Sequence, residues 1–374
     1  MRLIPRGGPA ICNVAVTNVC NAKCDFCNFA HDKGFVTNRT FLDADRFEAA
    51  LDVLKDRALV RFITFMGGEP LLHPRLIEMV RLATAAGIQP TLVTNGWLLP
   101  PKVDQLADAG VTAVFISIDS PDQSVHERNR GLRGSFARID DAIGRMSARG
   151  MTAIASVAIT RLVGDYAALA ETLKRFGFAA VTFSYPRKAA LGSSSLVYSE
   201  TSPLVDLDTE EMLAAFEAVD ATRDLFPVHN PRASVADMKS RLRGAPEKFT
   251  CLAGYKYFYM DWNYELWRCE DWRNSMGPVF AFEPSQMVRD GCQACMTDCY
   301  RDASVMLQFS VALGDTFARL SEARLGAAFT AISERRNVES LRAIVDYGGR
   351  LSRFAGFARG EHSEGRPDAD RSNG

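Results

Sequence analysis

The chain has no block of five or six Lys or Arg residues, and its formal net charge is −1 over 374 residues. The basic footprint of a phosphate-backbone binder is missing, so nucleic acid is not an expected partner. No apolar stretch approaches the roughly 20 residues that a membrane span requires. Met1-Arg-Leu-Ile-Pro-Arg-Gly-Gly also lacks the apolar h-region of a secretory signal. These absences predict a cytoplasmic protein, in a compartment where disulfides are rare. What is present, 47% hydrophobic and 24% charged residues, is an ordinary globular composition long enough for one large domain and a smaller one.

The nine cysteines are grouped rather than scattered. Cys12 stands alone and reads as a small buried hydrophobe. Cys20, Cys24 and Cys27 follow an apolar run, Ile11 to Val16, that reads as a strand. Cys251, Cys269, Cys292, Cys295 and Cys299 form a second group. Three thiolates on so short a loop can grip three corners of a cubic iron–sulfur cluster and leave the fourth iron without a protein ligand. A structural zinc site is the alternative, but it wants a fourth ligand, and His31 is the only nearby candidate.

Between Ile11 and about Pro186, β-rich runs alternate with helical periods. Six parallel strands are predicted, at 13–16, 59–66, 90–93, 113–118, 154–159 and 181–184. Phe47, Ala50, Leu51 and Leu54 fall at i, i+3, i+4 and i+7, the stripe of a helix that covers a sheet. Gly87, Gly110, Gly150 and Gly177 stand where helices should give way to strands. An alternating βα pattern gives a parallel sheet with ligands at the C-terminal ends of its strands. The cysteine loop, Gly67-Gly68-Glu69-Pro70, Thr94-Asn95-Gly96 and Ser117-Ile118-Asp119-Ser120 follow or close the first four strands. The stretch 187–207 reads as a linker or flexible loop, with helices at about 208–223 and 233–243. Tyr255–Met260 and Glu265–Cys269 read as a β-hairpin with a cysteine at the far end of each arm. Helix returns from 304 to 357, and a polar, disordered tail is predicted beyond it.

The spacing C-x3-C-x2-C, with Phe26 before its last cysteine, resembles the signature of the radical S-adenosylmethionine (SAM) superfamily. Gly67, Gly68, Glu69 and Pro70 resemble that family's GGE motif, in which backbone and glutamate hold the amino group of the SAM methionine. A close approach of that ligand is the expected reason for the glycines. Ser117 and Asp119 resemble positions that bind the SAM carboxylate and ribose hydroxyls. Arg130 stands where many relatives place a carboxylate-pairing arginine, with a solvated surface arginine as the alternative. Asn95 could line the same pocket or form a plain Asn-Gly turn.

The second cysteine group resembles the family's SPASM or shorter twitch extension, which binds auxiliary [4Fe–4S] clusters. Two complete clusters would need about eight thiolates, so five cysteines imply one auxiliary cluster. Cys251, Cys269, Cys292 and Cys295 are the nominated ligands, with Cys299 spare or exchanging. Tyr264 departs from the glycine usual in that hairpin. A zinc ribbon is the alternative here.

The resemblance therefore implies an α/β fold: a partial (βα)6 barrel of radical SAM type over 8–186, then a linker and helices over 187–250. A small cysteine-rich hairpin-plus-helix auxiliary cluster domain over 251–303, C-terminal helices over 304–357 and the tail 358–374 complete it. It implies a [4Fe–4S] cluster on Cys20, Cys24 and Cys27 that cleaves SAM reductively to a 5′-deoxyadenosyl radical, which takes hydrogen from a substrate. An electron donor such as flavodoxin or ferredoxin and a small-molecule or peptide substrate are the implied partners. Oxidation or crosslinking, with the auxiliary cluster as electron partner, is the expected outcome. A non-catalytic iron–sulfur electron carrier or redox sensor is a competing class. So is a peptide maturase working with a separate leader-binding partner, since only 19 residues precede Cys20. Val305–Leu313 should pack in the core, or else lie on a membrane. Tyr185, Arg187, Lys188 and Asp261 are candidate proton-transfer groups that nothing in the sequence ranks.

Overall fold

The computed structural model describes residues 3–31, 37–186, 202–295, 297–322 and 332–357. In chain order its main elements are β1 (Ala10–Ala15), α1 (Asn28–His31), α2 (Phe47–Asp56), β2 (Val60–Met66), α3 (Leu76–Ala85), β3 (Gln89–Thr94) and α4 (Val103–Asp108). They continue with β4 (Ala113–Ser117), α5 (Gln123–Arg130), α6 (Ser135–Ala148), β5 (Thr152–Ala158), α7 (Tyr166–Phe176) and β6 (Ala180–Ser184). The rest are α8 (Thr209–Leu225), α9 (Arg232–Leu242), β7 (Tyr257–Met260), β8 (Leu266–Trp267), α10 (Asp298–Ser321) and α11 (Arg335–Phe357).

All six predicted strands form, each within a few residues of its expected bounds, and they pair in parallel. The crossover helices pack their apolar stripes on one face: Phe47, Ala50, Leu51 and Leu54 of α2, for example, are buried in the same core as Cys12, Val14 and Phe65. Local signals set the helix ends. Asp165 caps α7 by accepting from the amides of Ala167 and Ala168, and Gly177 closes it at φ 83°, a left-handed conformation that a Cβ would disfavour. The other face of the sheet mixes small hydroxyl side chains with larger apolar ones such as Phe62, Met66 and Phe115. Thr64, Thr91, Ser117, Ser156 and Thr182 lie on it, half-buried, and Asn13 accepts a bond of 2.9 Å from Tyr257 Oη there. A parallel sheet whose crossover helices lie on one side, while the first turn of α10 reaches the other through Tyr300 on Tyr257, is the architecture of an incomplete barrel.

The sheet has eight strands, in the order β6-β5-β4-β3-β2-β1-β7-β8. The predicted hairpin exists, but its first arm, β7, also pairs in parallel with β1, from Ile11↔Tyr257 to Val14↔Met260. The cysteine-bearing hairpin is thus continuous with the main sheet. Tyr264 takes the left-handed conformation, φ 64°, that a glycine would enter more cheaply. Its hydroxyl donates to Asp43 O, and its ring packs on Phe280.

The opposite edge is closed by the chain at 227–230, where Val181 N donates to Pro227 O at 2.9 Å, His229 N donates to Val181 O at 2.7 Å, and a side chain continues the pairing. Asn230 accepts from Phe183 N at 2.7 Å and donates to Phe183 O at 3.0 Å, as a neighbouring strand would, and its amide also donates to Asp302 of α10. Of the predicted linker, residues 202–207 pack against the cysteine loop; the stretch 187–201 and the tail from 358 lie outside the described residues, as do Arg187 and Lys188. Val305, Val311 and Ala312 of α10 are buried, and Ser340 of α11 donates to Val305 O at 2.6 Å, which is the core-packing outcome. Among the described residues, no helix is long and apolar enough to cross a membrane.

Candidate functional site

The loop after β1 carries Cys20, Cys24 and Cys27 in a small apolar cluster with Ala22, Phe26, Leu132 and Val205. Phe26 is buried in it, so that side chain packs the loop. Burial pushes the Cys20 thiol up to about 12 and the Cys24 thiol up to about 11, with the Arg130 guanidinium pulling both back. The Cys27 thiol is raised further, by burial and then by its two neighbours. Sulfurs this shielded become thiolates only when a cation replaces the lost water, and that donor chemistry suits an iron–sulfur group. His31, the possible fourth zinc ligand, has its Nε2 3.0 Å from Cys24 O. As the side chains stand, no group of three or more His, Cys, Asp or Glu among the described residues is gathered closely enough to hold a single metal ion.

Gly67 and Gly68 answer first to the chain itself. A Cβ on Gly67, at φ 140°, would lie 2.3 Å from Thr17 O, and one on Gly68 would lie 2.3 Å from Val19 O. This proximity lets Gly68 N donate to Thr17 O and Glu69 N to Val19 O, both at 2.8 Å. The physical requirement for glycine, expected from a ligand's approach, is met already by the backbone that leads into the cysteines. Glu69 is fully buried, and its carboxylate accepts from Leu71 N at 3.0 Å, Thr94 Oγ1 at 2.7 Å and Asn95 N at 2.8 Å. Burial raises its pKa, and these donors oppose the rise. Pro70 starts the single turn after it. Asn95 donates from Nδ2 to Asn21 Oδ1 at 2.8 Å while accepting from Trp97 N, so it serves both as a turn residue and as a tie to the cysteine loop.

At the end of β4, Ser117 is half-buried on the inner face, in register with Ser156. Asp119 and Arg130 are both buried, and Arg130 Nη2 donates to Asp119 Oδ1 at 2.5 Å. Arg130 is therefore no surface arginine. Burial pushes Asp119 up, but Arg130, His126 and Asn129 outweigh it and hold the carboxyl below its usual range. Burial pushes His126 down to about 4, so its ring is neutral and accepts from Asp119 N at 3.2 Å. The 3.8 Å approach of the two side chains is not an ion pair. Arg130 Nε is buried with no hydrogen-bond partner, and the guanidinium lies in the field of Cys24 and Cys20, as a counter-cation for thiolates would.

The second cysteine group collects near the start of β1. Cys251 and Cys269 are buried with Tyr257 and Tyr300, and Ile11, Cys292 and Cys299 pack against them. Cys251 N donates to Cys292 O at 3.1 Å. Burial pushes the Cys251 thiol up to about 12, with Cys295 and Cys292 adding to the rise. Cys299 lies 3.9 Å from Glu270 Oε1, as a thiol donor to that carboxylate. Arg268 forms a forked pair with Asp290 at 2.7 and 2.9 Å, and Asp290 accepts from Cys292 N. All five cysteines thus belong to one neighbourhood, with Cys299 on its carboxylate-rich side.

Of the remaining candidates, Asp261 accepts from Asn263 N, Glu265 N and Trp267 Nε1, which makes it the lock of the β7–β8 turn. Tyr185 is buried against Phe216 of α8. Asn129 went unnoticed in the sequence: it touches both the cysteine loop and Asp119, and no local pattern marks it.

Residues 14–176 match the family model described as Radical SAM superfamily. GTP 3′,8-cyclase of Chlorobaculum tepidum is 36% identical over 141 residues, which cover 36% of this chain and 40% of that protein. AdoMet-dependent heme synthase of Oleidesulfovibrio alaskensis is 30% identical over 164 residues, 43% of this chain and 41% of that protein. The chain thus spans about two fifths of the length of the curated relatives it matches. Among solved structures, Streptococcus suis SuiB bound to precursor peptide SuiA superposes with a TM-score of 0.54 at 17% identity, over 70% of this chain and 59% of that one, a likeness of fold alone.

Proposed function

From the match of residues 14–176 to the radical SAM superfamily, we propose that the chain is an enzyme of that family and removes hydrogen from a small-molecule or peptide substrate held on the inner face of the sheet. Its second cysteine group would serve as electron partner. A [4Fe–4S] cluster on Cys20, Cys24 and Cys27 would supply the electron that cleaves SAM to methionine and a 5′-deoxyadenosyl radical able to take hydrogen from an unactivated C–H bond.

The residues of the chain do the rest. The observation that carries the reading is the meeting, at one end of the sheet, of the three-cysteine loop with Glu69, Asn95, Asp119 and Arg130. Arg130 balances thiolate charge, and Glu69 keeps an acceptor at the loop. Leu204 and Val205 cover the cysteines, with Arg161 N donating to Leu204 O and the Arg161 guanidinium holding Pro203 O and Asp206 O, so that water is excluded there. Half-buried Ser117, Ser156 and Thr182 would face that substrate. Cys251, Cys269, Cys292 and Cys295 would hold one auxiliary cluster to accept the electron of a net oxidation.

The test is anaerobic reconstitution with iron and sulfide, reduction with dithionite, and measurement of 5′-deoxyadenosine by mass spectrometry. Formation of deoxyadenosine is the expected result. A fully loaded protein that binds SAM and yields none would leave only the electron-carrier reading.

A further inference from the structure

Cys24 is bracketed from outside its own loop. On its N-terminal side, Lys23 N donates to Arg130 O at 2.8 Å; on its C-terminal side, Asp25 N donates to Asn129 Oδ1 at 3.2 Å. Both acceptors lie in the last turn of α5, which Asp122 caps at the start and Gly131, at φ 61°, ends. Asn129 uses the other half of its carboxamide as well: Nδ2 donates to Asp119 Oδ2 at 2.8 Å, while Arg130 occupies Oδ1. One planar group therefore joins the cysteine loop to the carboxylate at the end of β4. No other residue type does this at the same length, because the link needs a donor and an acceptor held at a fixed angle. Aspartate keeps an acceptor for Asp25 N, but it loses the donor and sets a like charge beside buried Asp119. Leucine keeps the approximate volume and loses both bonds.

We propose that Asn129 is the positioning residue of this site, fixing the Cys24 backbone and the orientation of Asp119 in a single geometry. What that geometry serves, SAM ligation at the loop, rests on the function proposed above; the link itself does not.

The experiment compares full-length wild type with Asn129→Leu and Asn129→Asp, each checked for folding by its thermal melt. In cluster-free, reduced protein, iodoacetamide labelling resolved by mass spectrometry should show Cys24 reacting about fivefold faster in Asn129→Leu, the equivalent of one lost hydrogen bond. Cys12 and Cys251 should be unchanged, and Cys24 in Asn129→Asp should stay near wild type. In reconstituted, reduced protein, the SAM concentration that half-completes the change in the cluster's electron paramagnetic resonance signal should rise at least about fivefold in both variants, since each loses the bond to Asp119. The proposal is overturned if Cys24 in folded Asn129→Leu labels at the wild-type rate, or if Asn129→Asp leaves the SAM dependence unmoved. A wild-type signal indifferent to SAM would instead remove the functional reading, while the labelling contrast would still decide whether Asn129 holds the loop.

Discussion

The three-cysteine loop and the five-cysteine region lie at opposite ends of one strand, β1, and they are built differently. Cys20, Cys24 and Cys27 are held by partners remote in sequence: the β2 turn at Gly68 and Glu69, Asn95 after β3, and Asn129 and Arg130 of α5. Their Arg–Asp pair, Arg130 with Asp119, is buried on both sides. The second region is closed mostly by its own neighbours. Cys251 N donates to Cys292 O, Arg268 pairs with Asp290, whose side chain is 49% exposed, and Tyr300 Oη accepts from Glu270 N. A site assembled from four strand ends cannot shift without the sheet. The second is anchored to the sheet by its hairpin but closed on the other side by a loop and the first turn of a helix, the part that can rearrange locally.

The largest effect should separate the two sites outright. Cys24→Ser should lower deoxyadenosine formation by at least about a thousandfold, as loss of an essential ligand does. Cys269→Ser should leave SAM cleavage within a few-fold while changing iron content. Equal losses in both would break the contrast, because the second group would then also serve the first step. Gly68→Ala comes next, since its Cβ would meet Val19 O at 2.3 Å and Cys20 N at 3.0 Å. It should cost about 1–3 kcal/mol of stability by overpacking, seen in the thermal melt, and should deplete iron at the first site selectively. A variant with unaltered melting and iron would show that the loop yields more easily than its packing implies.

The smallest effect concerns pH. His126, beneath the first site, and His229 are both pushed down to about 4, chiefly by burial, from an ordinary 6.5. The unfolded chain therefore binds more protons than the folded one between those values. Stability is full above pH 6.5 and declines as pH falls toward 4. Calorimetry from pH 7 to 4.5 should show a falling melting temperature, with a shallower slope in His126→Gln; an unchanged slope would mean that His126 contributes nothing to acid sensitivity.

Much of this was readable along the chain. The six strands follow from alternating apolar runs and glycine stops, which are local signals. The cysteine loop and Gly67-Gly68-Glu69 were legible because short motifs at strand ends state their chemistry in residue type and spacing. The pairing of β7 with β1 was not, because Ile11 and its neighbour Tyr257 lie 246 positions apart, and no period in the sequence encodes which free edge a hairpin will join. Asn230 standing in for a strand beside Phe183, and Arg161 clasping 203–206, were hidden for the same reason: each is a side chain meeting a distant backbone.

By itself, the sequence determined the chemistry at hand: three thiols in one loop, a glycine–glutamate turn, five more thiols downstream, and a βα frame to hold them. Only the tertiary structure decided what each residue spends its bonds on. It turned the two glycines into a seat for the cysteine loop and made Arg130 a buried partner of Asp119. It also gave Asn129 a place between them. Residue type fixes which bonds a group can make, while the fold alone brings the second partner within 3 Å.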